Sequence, residues 1–466
     1  MLENILYALS ELTLLTGILI LLCGALFRTS SQRFYFSVSK TVVLISALFA
    51  IIFYNKNFLS PYFISSAETA LVFVLSAGLV VVWLFLSAKW FYSHKELNPV
   101  WLCCLALCLL LCFSLIIQTT NFGILFILIA ALTCMQYLLF ILSRNSEELY
   151  HTGRRYLLIS LLFLILCGTA LFYIKDHSLQ YDAVAEYLTQ IPDTFRIFVL
   201  TALLCLLLYL LGIAPFHFWI ADRILPLIMP VATYFALIPI LFLWFLFFKI
   251  NQNVLFNFTE PLQKIYYIFG ILSALFGIII ANSSHFIKKT FASISLFQFG
   301  IVLLVFSTFR QNVATPCFLY IELYTFVLLG IYICLHAVKI NGEYPVTLHS
   351  LRGLNSVHPF VAAVLMFLIT VLIGLPPCSF FLTQFMMLMH VVKIPWIIYV
   401  VLLGSVMFVP VYLKIIQSIF LLPREQNFDR TDFSLYAGLL MYLIILIILS
   451  IKPQYFLIQE LILSNG

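Results

Sequence analysis

Residues 196–219 read RIFVLTALLCLLLYLLGIAPFHFW, an apolar helical stretch that Gly212 and Pro215 interrupt near its end. Proline lacks a backbone N–H and clashes with the preceding turn, so we expect the helix to break there. Inside a lipid bilayer, a helix breaks only where the freed backbone groups face protein or a water-filled cavity. The stretch therefore predicts a broken membrane helix, with an ordinary proline kink as the alternative.

A second apolar stretch, 358–391, is too long for one straight membrane helix and contains Gly374, Pro376 and Pro377. It lies five predicted spans after the first interruption, at the matching place in the next block of five. Paired broken helices of this kind are typical of transporters that are built from inverted repeats.

The composition supports a membrane protein over the whole length of the chain. Of the 466 residues, 64% are hydrophobic and 9% are charged, whereas soluble domains are roughly 45–50% apolar and about 25% charged. The apolar runs are long and continuous, which excludes the short alternating strands of a β-barrel. We predict an all-α polytopic membrane protein with about 14 transmembrane helices of roughly 20 residues each, including two inverted five-helix repeats that each contain a broken helix.

The predicted spans group into four parts: three N-terminal helices at 1–98, a first repeat at 99–250, a second repeat at 251–420, and a C-terminal loop and last helix at 421–466. The spans are expected at 5–27, 39–53, 66–88, 99–117, 120–142, 156–174, 196–219, 226–248, 263–283, 290–308, 314–338, 358–391, 395–420 and 433–450.

The basic residues punctuate the loops and form no basic and aromatic patch, so the net charge of +6 does not indicate nucleic-acid binding. Cytoplasmic loops carry an excess of Lys and Arg. Sixteen of these residues fall on one predicted side and eight on the other, which predicts that both termini lie outside. The eight on the outer side are Lys56, Lys175, Arg196, Lys249, Lys264, Arg310, Lys393 and Lys452.

The eleven cysteines lie inside apolar segments, without the CxxC-type turn and accompanying His or carboxylate groups of a metal site. We expect no metal. No Lys or Arg precedes Arg28, so a basic signal peptide or an Arg-rich mitochondrial presequence is not expected and the first span should be retained. The bacterial inner (plasma) membrane is the expected location, and the mitochondrial inner membrane is the alternative.

Short motifs follow one another along nearly the whole chain: Ser10-Glu11-Leu12, Ala214-Pro215-Phe216-His217-Phe218-Trp219 with Asp222, Ile287-Lys288-Lys289 with Ser295 and Gly300, Arg352-Gly353-Leu354 with Pro359 and Ala362-Ala363, Gly374-Leu-Pro376-Pro377, and Lys452-Pro453-Gln454. Their order and spacing resemble those of the antiporter-like membrane subunits of complex I, the proton-pumping NADH:quinone oxidoreductase. The start, the tail and the length resemble subunit N, the counterpart of mitochondrial subunit 2, more than the longer paralogues.

The resemblance implies a membrane-arm subunit that couples electron transfer from NADH to quinone with proton translocation, and that performs no redox chemistry itself. It implies that this chain binds no cofactor, while NADH, FMN, iron–sulfur clusters and quinone are bound elsewhere in the complex. The implied partners are other membrane-arm and peripheral-arm subunits, together with membrane lipid.

The family places a Glu in span five, a Lys in spans seven and eight, and a Lys or Glu in span twelve. This sequence has Ala130, Leu210, Ile240 and Gln384 there, and Gln298 at a family histidine. We therefore expect a degenerate proton path. The alternatives are a subunit of a cation/proton antiporter or a membrane-bound hydrogenase, and a structural spacer that does not pump.

No catalytic residue is expected in this chain. An ionisable group inside the membrane is costly and normally marks a proton path, which leaves a few candidates. A structural role is the alternative for each: His217 can cap the broken helix, Glu322 can lie at the interface, and Lys288 can anchor a cytoplasmic loop. The candidate proton-path residues are His217, Glu322, Lys249, Lys288 and Gln384.

Overall fold

The computed structural model describes residues 8–26, 31–53, 57–58, 62–93, 99–142, 147–174, 179–217, 224–310, 312–376 and 378–451. The predicted residues Asp222 and Pro377 and the motif at 452–454 lie outside these ranges. The α-helices are α1 (Leu9–Leu26), α2 (Gln32–Ile52), α3 (Ala67–Ser93), α4 (Val100–Gln118), α5 (Phe122–Leu142), α6 (Glu147–Ile174), α7 (Tyr181–Gln190), α8 (Asp193–Leu211), α9 (Met229–Asn253), α10 (Thr259–Ser283), α11 (Ile287–Phe306), α12 (Ala314–Ala337), α13 (Leu354–Val357), α14 (Pro359–Ile373), α15 (Ser379–Met389), α16 (Pro395–Phe420) and α17 (Phe433–Ile451).

Short elements connect some of these helices. The strands β1 (Asn57–Phe58) and β2 (Phe63–Ile64) pair antiparallel, and 3-10 turns occur at Leu255–Phe258 and Leu348–Leu351. Among the described residues, twelve helices are long and apolar enough to cross a membrane, and shorter apolar helices lie at Pro359–Ile373, Ser379–Met389 and Phe433–Ile447. The prediction of an all-α polytopic membrane protein is confirmed.

Several predicted boundaries are wrong. Helices α3 and α9 end at Ser93 and Asn253, each five residues later than expected, and two helices start much earlier than expected. The second span was expected to begin at residue 39, but α2 begins at Gln32, where the hydroxyl of Ser31 accepts a hydrogen bond from the backbone N–H of Phe34. A serine at this position satisfies a backbone donor that has no partner within the helix. The sixth span was expected at residue 156, whereas α6 begins at Glu147, so polar residues extend the helix beyond its apolar part.

Both helix breaks are present where the sequence predicts them. Helix α8 ends at Leu211 and is followed by Gly212 in the left-handed conformation, with φ of 68°. Helix α14 ends at Ile373, and Gly374 follows with φ of 79°. Glycine adopts this conformation without the steric cost that a Cβ imposes. Pro215 is preceded by a cis peptide bond, and Pro376 lies between α14 and α15.

The chain divides into two compact units, which we call the first unit (Met1–Leu211 with Pro226–Asn257) and the second unit (Gly212–Leu225 with Phe258–Gly466). The four-part division predicted from the sequence stays a prediction. In the first unit, α9 is 94% buried over its apolar window, as expected of a helix that is apolar on all sides. The indole Nε1 of Trp83 in α3 donates a 2.6 Å hydrogen bond to the Pro230 carbonyl at the start of α9.

The second unit is built around α11 and α12, each 94% buried over its apolar window. Helix α10 packs closely against α11 through small residues. A Cβ placed on Gly277 would lie 2.8 Å from the backbone N of Phe297 and 2.9 Å from the carbonyl O of Ser293. Small residues at helix contacts let membrane helices approach in this way.

Candidate functional site

The positions of the first unit at which the resembled family has charged residues are apolar in this structure. Leu210 and Ile240 are 7% and 8% exposed. The first unit also contains a cavity of about 10 Å³ whose lining includes Ile129, next to Ala130 in the sequence, and consists only of apolar side chains and Cys167. An apolar cavity stays dry because water needs several polar partners. Within the described residues, this region therefore offers no chain of titratable groups.

A neutral hydrogen-bonded cluster lies in the first unit and was missed from the sequence. The Tyr156 hydroxyl donates a 2.7 Å hydrogen bond to Oε1 of Gln136, which joins α6 to α5. The hydroxyls of Ser160 and Tyr209 lie 2.7 Å apart and join α6 to α8. The available signal was Tyr156 and Ser160, four residues apart on one helix face within an apolar run.

The second unit contains a similar set of groups. The Tyr320 hydroxyl donates a hydrogen bond to Oε1 of Gln298, and the hydroxyls of Ser295 and Tyr324 lie 2.7 Å apart, so both pairs join α11 to α12. The ring of Phe380 in α15 stacks on Tyr320 with centroids 4.7 Å apart. Each unit thus has one Gln–Tyr pair and one Ser–Tyr pair, all uncharged, buried between its helices.

Glu322 lies well inside its helix. Helix α12 begins at Ala314, so at a rise of about 1.5 Å per residue Glu322 is roughly 12 Å along the axis. Its side chain is 3% exposed. The helix starts where the sequence predicts it, and both the proton-path role and the interfacial alternative for Glu322 stay predictions. The structure leaves Glu322 as a buried acidic residue within the apolar part of the second unit.

The remaining predicted candidates of the second unit lie in separate places. His217 stacks on Phe276 of α10 with ring centroids 4.7 Å apart. Lys288 is 9% exposed, and its Nζ donates a 3.4 Å hydrogen bond to the Leu225 carbonyl, which lies outside any helix. Gln384 lies beside the break after α14, since a Cβ on Gly374 would lie 2.9 Å from its Oε1.

Lys249, near the end of α9, lies against backbone oxygen atoms. Its Nζ donates hydrogen bonds of 2.7 Å and 2.8 Å to the carbonyls of Ile117 and Thr119 at the C-terminal end of α4. The ring of Tyr181 lies 5.7 Å from the same nitrogen. Burial raises the pKa of the Tyr181 phenol, so the ring presents a neutral face. Glu68, at the start of α3, interacts electrostatically with Lys249.

A buried carboxylate is hydrogen-bonded to the segment that supplies these carbonyls. Glu11, 6% exposed, accepts a 2.8 Å hydrogen bond from Nε2 of Gln118 and a 2.6 Å hydrogen bond from the hydroxyl of Ser10. Gln118 stands between Ile117 and Thr119 in the sequence, so the same short segment serves both Glu11 and Lys249. Sequence patterns alone could not bring α1, α3, α4 and α9 together at this point.

Comparisons with known proteins agree with this architecture. Residues 119–409 match the family model described as NADH:quinone oxidoreductase/Mrp antiporter, TM. NADH-quinone oxidoreductase subunit N of Pelagibacter ubique is 26% identical over 67% of this chain and 67% of its own length. Subunit N 1 of Aquifex aeolicus is 24% identical over 91% of this chain and 92% of its own.

Three solved structures share the fold, each at 16% identity. A chain of respiratory complex I from Thermus thermophilus has a TM-score of 0.76 and covers 95% of this chain and 97% of its own length. Chains of an archaeal membrane-bound sulfane sulfur reductase and of the Mrp complex from Dietzia have TM-scores of 0.83 and 0.82, covering 97% and 98% of this chain and 95% and 96% of their own. Because the family model matches more than half of the sequence, the chain belongs to the NADH:quinone oxidoreductase/Mrp antiporter transmembrane family.

Proposed function

We propose that this chain is a membrane-arm antiporter-like subunit, of the subunit N type, in a respiratory NADH:quinone oxidoreductase. The observation that carries the proposal is the similarity to subunit N of Aquifex aeolicus, which extends over 91% of this chain and 92% of that protein. The complex would transfer electrons from NADH to quinone and move protons, while this chain supplies membrane structure and contacts to its neighbours.

In this proposal the chain has a degenerate proton path. The apolar lining beside Ala130 and the buried Leu210 and Ile240 support it, because a proton path through a membrane needs water or titratable groups. NADH, FMN, iron–sulfur clusters and quinone are assigned to other subunits of the complex. The proposed partners are membrane-arm and peripheral-arm subunits, and the proposed location is the bacterial inner membrane, with the mitochondrial inner membrane as the alternative.

A second candidate is a subunit of a cation/proton antiporter or of another respiratory membrane complex, such as a hydrogenase. The observation that favours it is the fold likeness to chains of the Mrp complex and the sulfane sulfur reductase, with TM-scores of 0.82 and 0.83.

Affinity purification of the tagged chain from its native membrane distinguishes the candidates. We expect NADH-oxidising peripheral subunits and NADH:quinone reductase activity in the purified assembly. Antiporter subunits or hydrogenase subunits in their place would contradict the first proposal and support the second. Isolation of a free-standing, active transporter would contradict both.

A further inference from the structure

One end of the first unit contains a cation that is held by oxygen atoms. The distribution of basic residues predicts that this end faces the outer side of the membrane. The cation is the ammonium of Lys249, with the carbonyl oxygens of Ile117 and Thr119 at 2.7 Å and 2.8 Å. Helix α4 ends at Gln118, so these carbonyls belong to the last turn and the residue beyond it. Such carbonyls lack partners within the helix and carry the negative end of its dipole.

One acidic side chain acts on the ammonium, and a second is joined to the segment that supplies the carbonyls. Glu68 on α3 interacts electrostatically with Lys249. Glu11 on α1 is connected to the carbonyl-bearing segment through Gln118, whose Nε2 it binds at 2.8 Å. Without the ammonium, two carbonyl oxygens, the carboxylate of Glu68 and the face of the Tyr181 ring would remain.

Oxygen donors of this kind are those that small monovalent cations use. Channels replace the hydration shell of K⁺ with backbone carbonyl oxygens and attract cations with carboxylates, and an aromatic face adds to the attraction. A lysine ammonium is a compact point charge on a flexible stem, so it can occupy such a position while it stays tethered to α9. Its side chain is partly accessible.

We propose that the ammonium of Lys249 is a tethered occupant of an oxygen-lined site for a small monovalent cation, Na⁺ or K⁺, and that it excludes free cations from this end of the first unit. The competing explanation is a lysine that caps the C-terminus of α4 and nothing more. The two explanations predict different results when the ammonium is removed. If the position is a cation site, a free cation can take the place of the ammonium. If Lys249 is only a helix cap, a free cation cannot restore the lost stability. The proposal does not depend on which complex contains the chain.

The test is the Lys249→Ala variant, purified in its native assembly in choline chloride. Thermal unfolding of the tagged chain is followed while NaCl or KCl replaces choline chloride at constant ionic strength. We expect the variant to unfold at a lower temperature than the wild type in choline. We then expect a saturable rise in its Tm of about 2–4 °C with Na⁺ or K⁺, and no such response in the wild type.

Two controls isolate the site. Lys249→Ala combined with Glu68→Gln should lose most of the cation response, because the carboxylate charge is gone. Lys264→Ala, which removes an exposed lysine on the same predicted side, should show no cation response. A rise of equal size in the wild type or in Lys264→Ala would overturn the proposal, since it would be a general salt effect.

A second variant keeps the test possible if Lys249→Ala assembles poorly. Lys249→Gln has a side chain that is one bond shorter, keeps an amide donor and has no charge, and we expect the same saturable response. Loss of stability in both variants without any recovery in Na⁺ or K⁺ would show that Lys249 is only a helix cap. Failure of both variants to assemble in membranes rich in Na⁺ and K⁺ would also overturn the proposal, because it requires a free cation to substitute for the ammonium.

Discussion

Replacement of Gly277 by alanine tests whether the contact between α10 and α11 is as close as the structure shows. The new Cβ would meet the backbone N of Phe297 at 2.8 Å and the carbonyl O of Ser293 at 2.9 Å. Backbone atoms inside a helix cannot move aside as a flexible side chain can, so α10 and α11 have to separate. Overpacking of a well-packed interior costs about 1–3 kcal/mol.

The same substitution also has a favourable part, because alanine is more stable than glycine in a helix by roughly 0.5–1 kcal/mol. Gly78 in α3 and Gly438 in α17 serve as matched controls, since a Cβ on either would meet nothing within 4 Å. Gly78→Ala and Gly438→Ala should therefore be neutral or slightly stabilising. The difference between Gly277→Ala and the controls removes the helix-propensity contribution and should be about 1–3 kcal/mol of lost stability.

Thermal unfolding of the purified assembly, read out from the tagged chain, measures this difference. We expect a lower Tm for Gly277→Ala and an unchanged or slightly raised Tm for both controls. A Gly277→Ala variant as stable as Gly438→Ala would refute the reasoning, because it would mean that the two helices are not in contact at this position.

Three further predictions concern hydrogen bonding, topology and proton movement. Tyr156→Phe and Gln136→Leu, combined in a double-mutant cycle on thermal stability, should show a coupling of about 0.6–1.7 kcal/mol, and additive effects would contradict the interhelical bond. A single cysteine at Asn145, in a loop predicted to be cytoplasmic from the basic-residue distribution, should react with impermeant reagents only from the inside, and labelling from the outside would reverse the topology. Glu322→Gln should leave the proton-to-electron ratio of the complex in vesicles unchanged if the chain does not pump, whereas a lower ratio would show that Glu322 carries protons.

The apolar pattern was sufficient to predict the long membrane helices, because long apolar segments are those that a bilayer accommodates. The short helix α7, which is not part of an apolar run, was not predicted. Gly212 and Gly374 could be predicted as breaks from local chemistry alone. Helix starts such as Gln32 and Glu147 were less predictable, since a polar turn extends a membrane helix without changing its apolar part.

The contacts of the candidate site could not be predicted from the sequence, because they join residues that are far apart along the chain. Gln136 and Tyr209 are 73 positions apart in the sequence, and Glu11 and Gln118 meet only after several helices have packed. A glutamine or a serine in an apolar run indicates that its side chain needs a hydrogen-bond partner, but the sequence does not show which helix supplies that partner. Lys249 was singled out as a charged residue, whereas its oxygen neighbours are backbone atoms that no side-chain pattern reveals.

The placement of polar groups in the first unit follows the cost of burying them. Its interior uses neutral Gln–Tyr and Ser–Tyr pairs, which avoid the penalty of a charge in a medium of low polarity. Its charged cluster, by contrast, gathers where helices α1, α3, α4 and α9 begin or end. Helix ends supply carbonyl oxygens that need partners, so Lys249 there satisfies them while they stabilise its charge. The described interior of the first unit is thus joined by uncharged hydrogen bonds, which agrees with the proposal that this unit does not conduct protons.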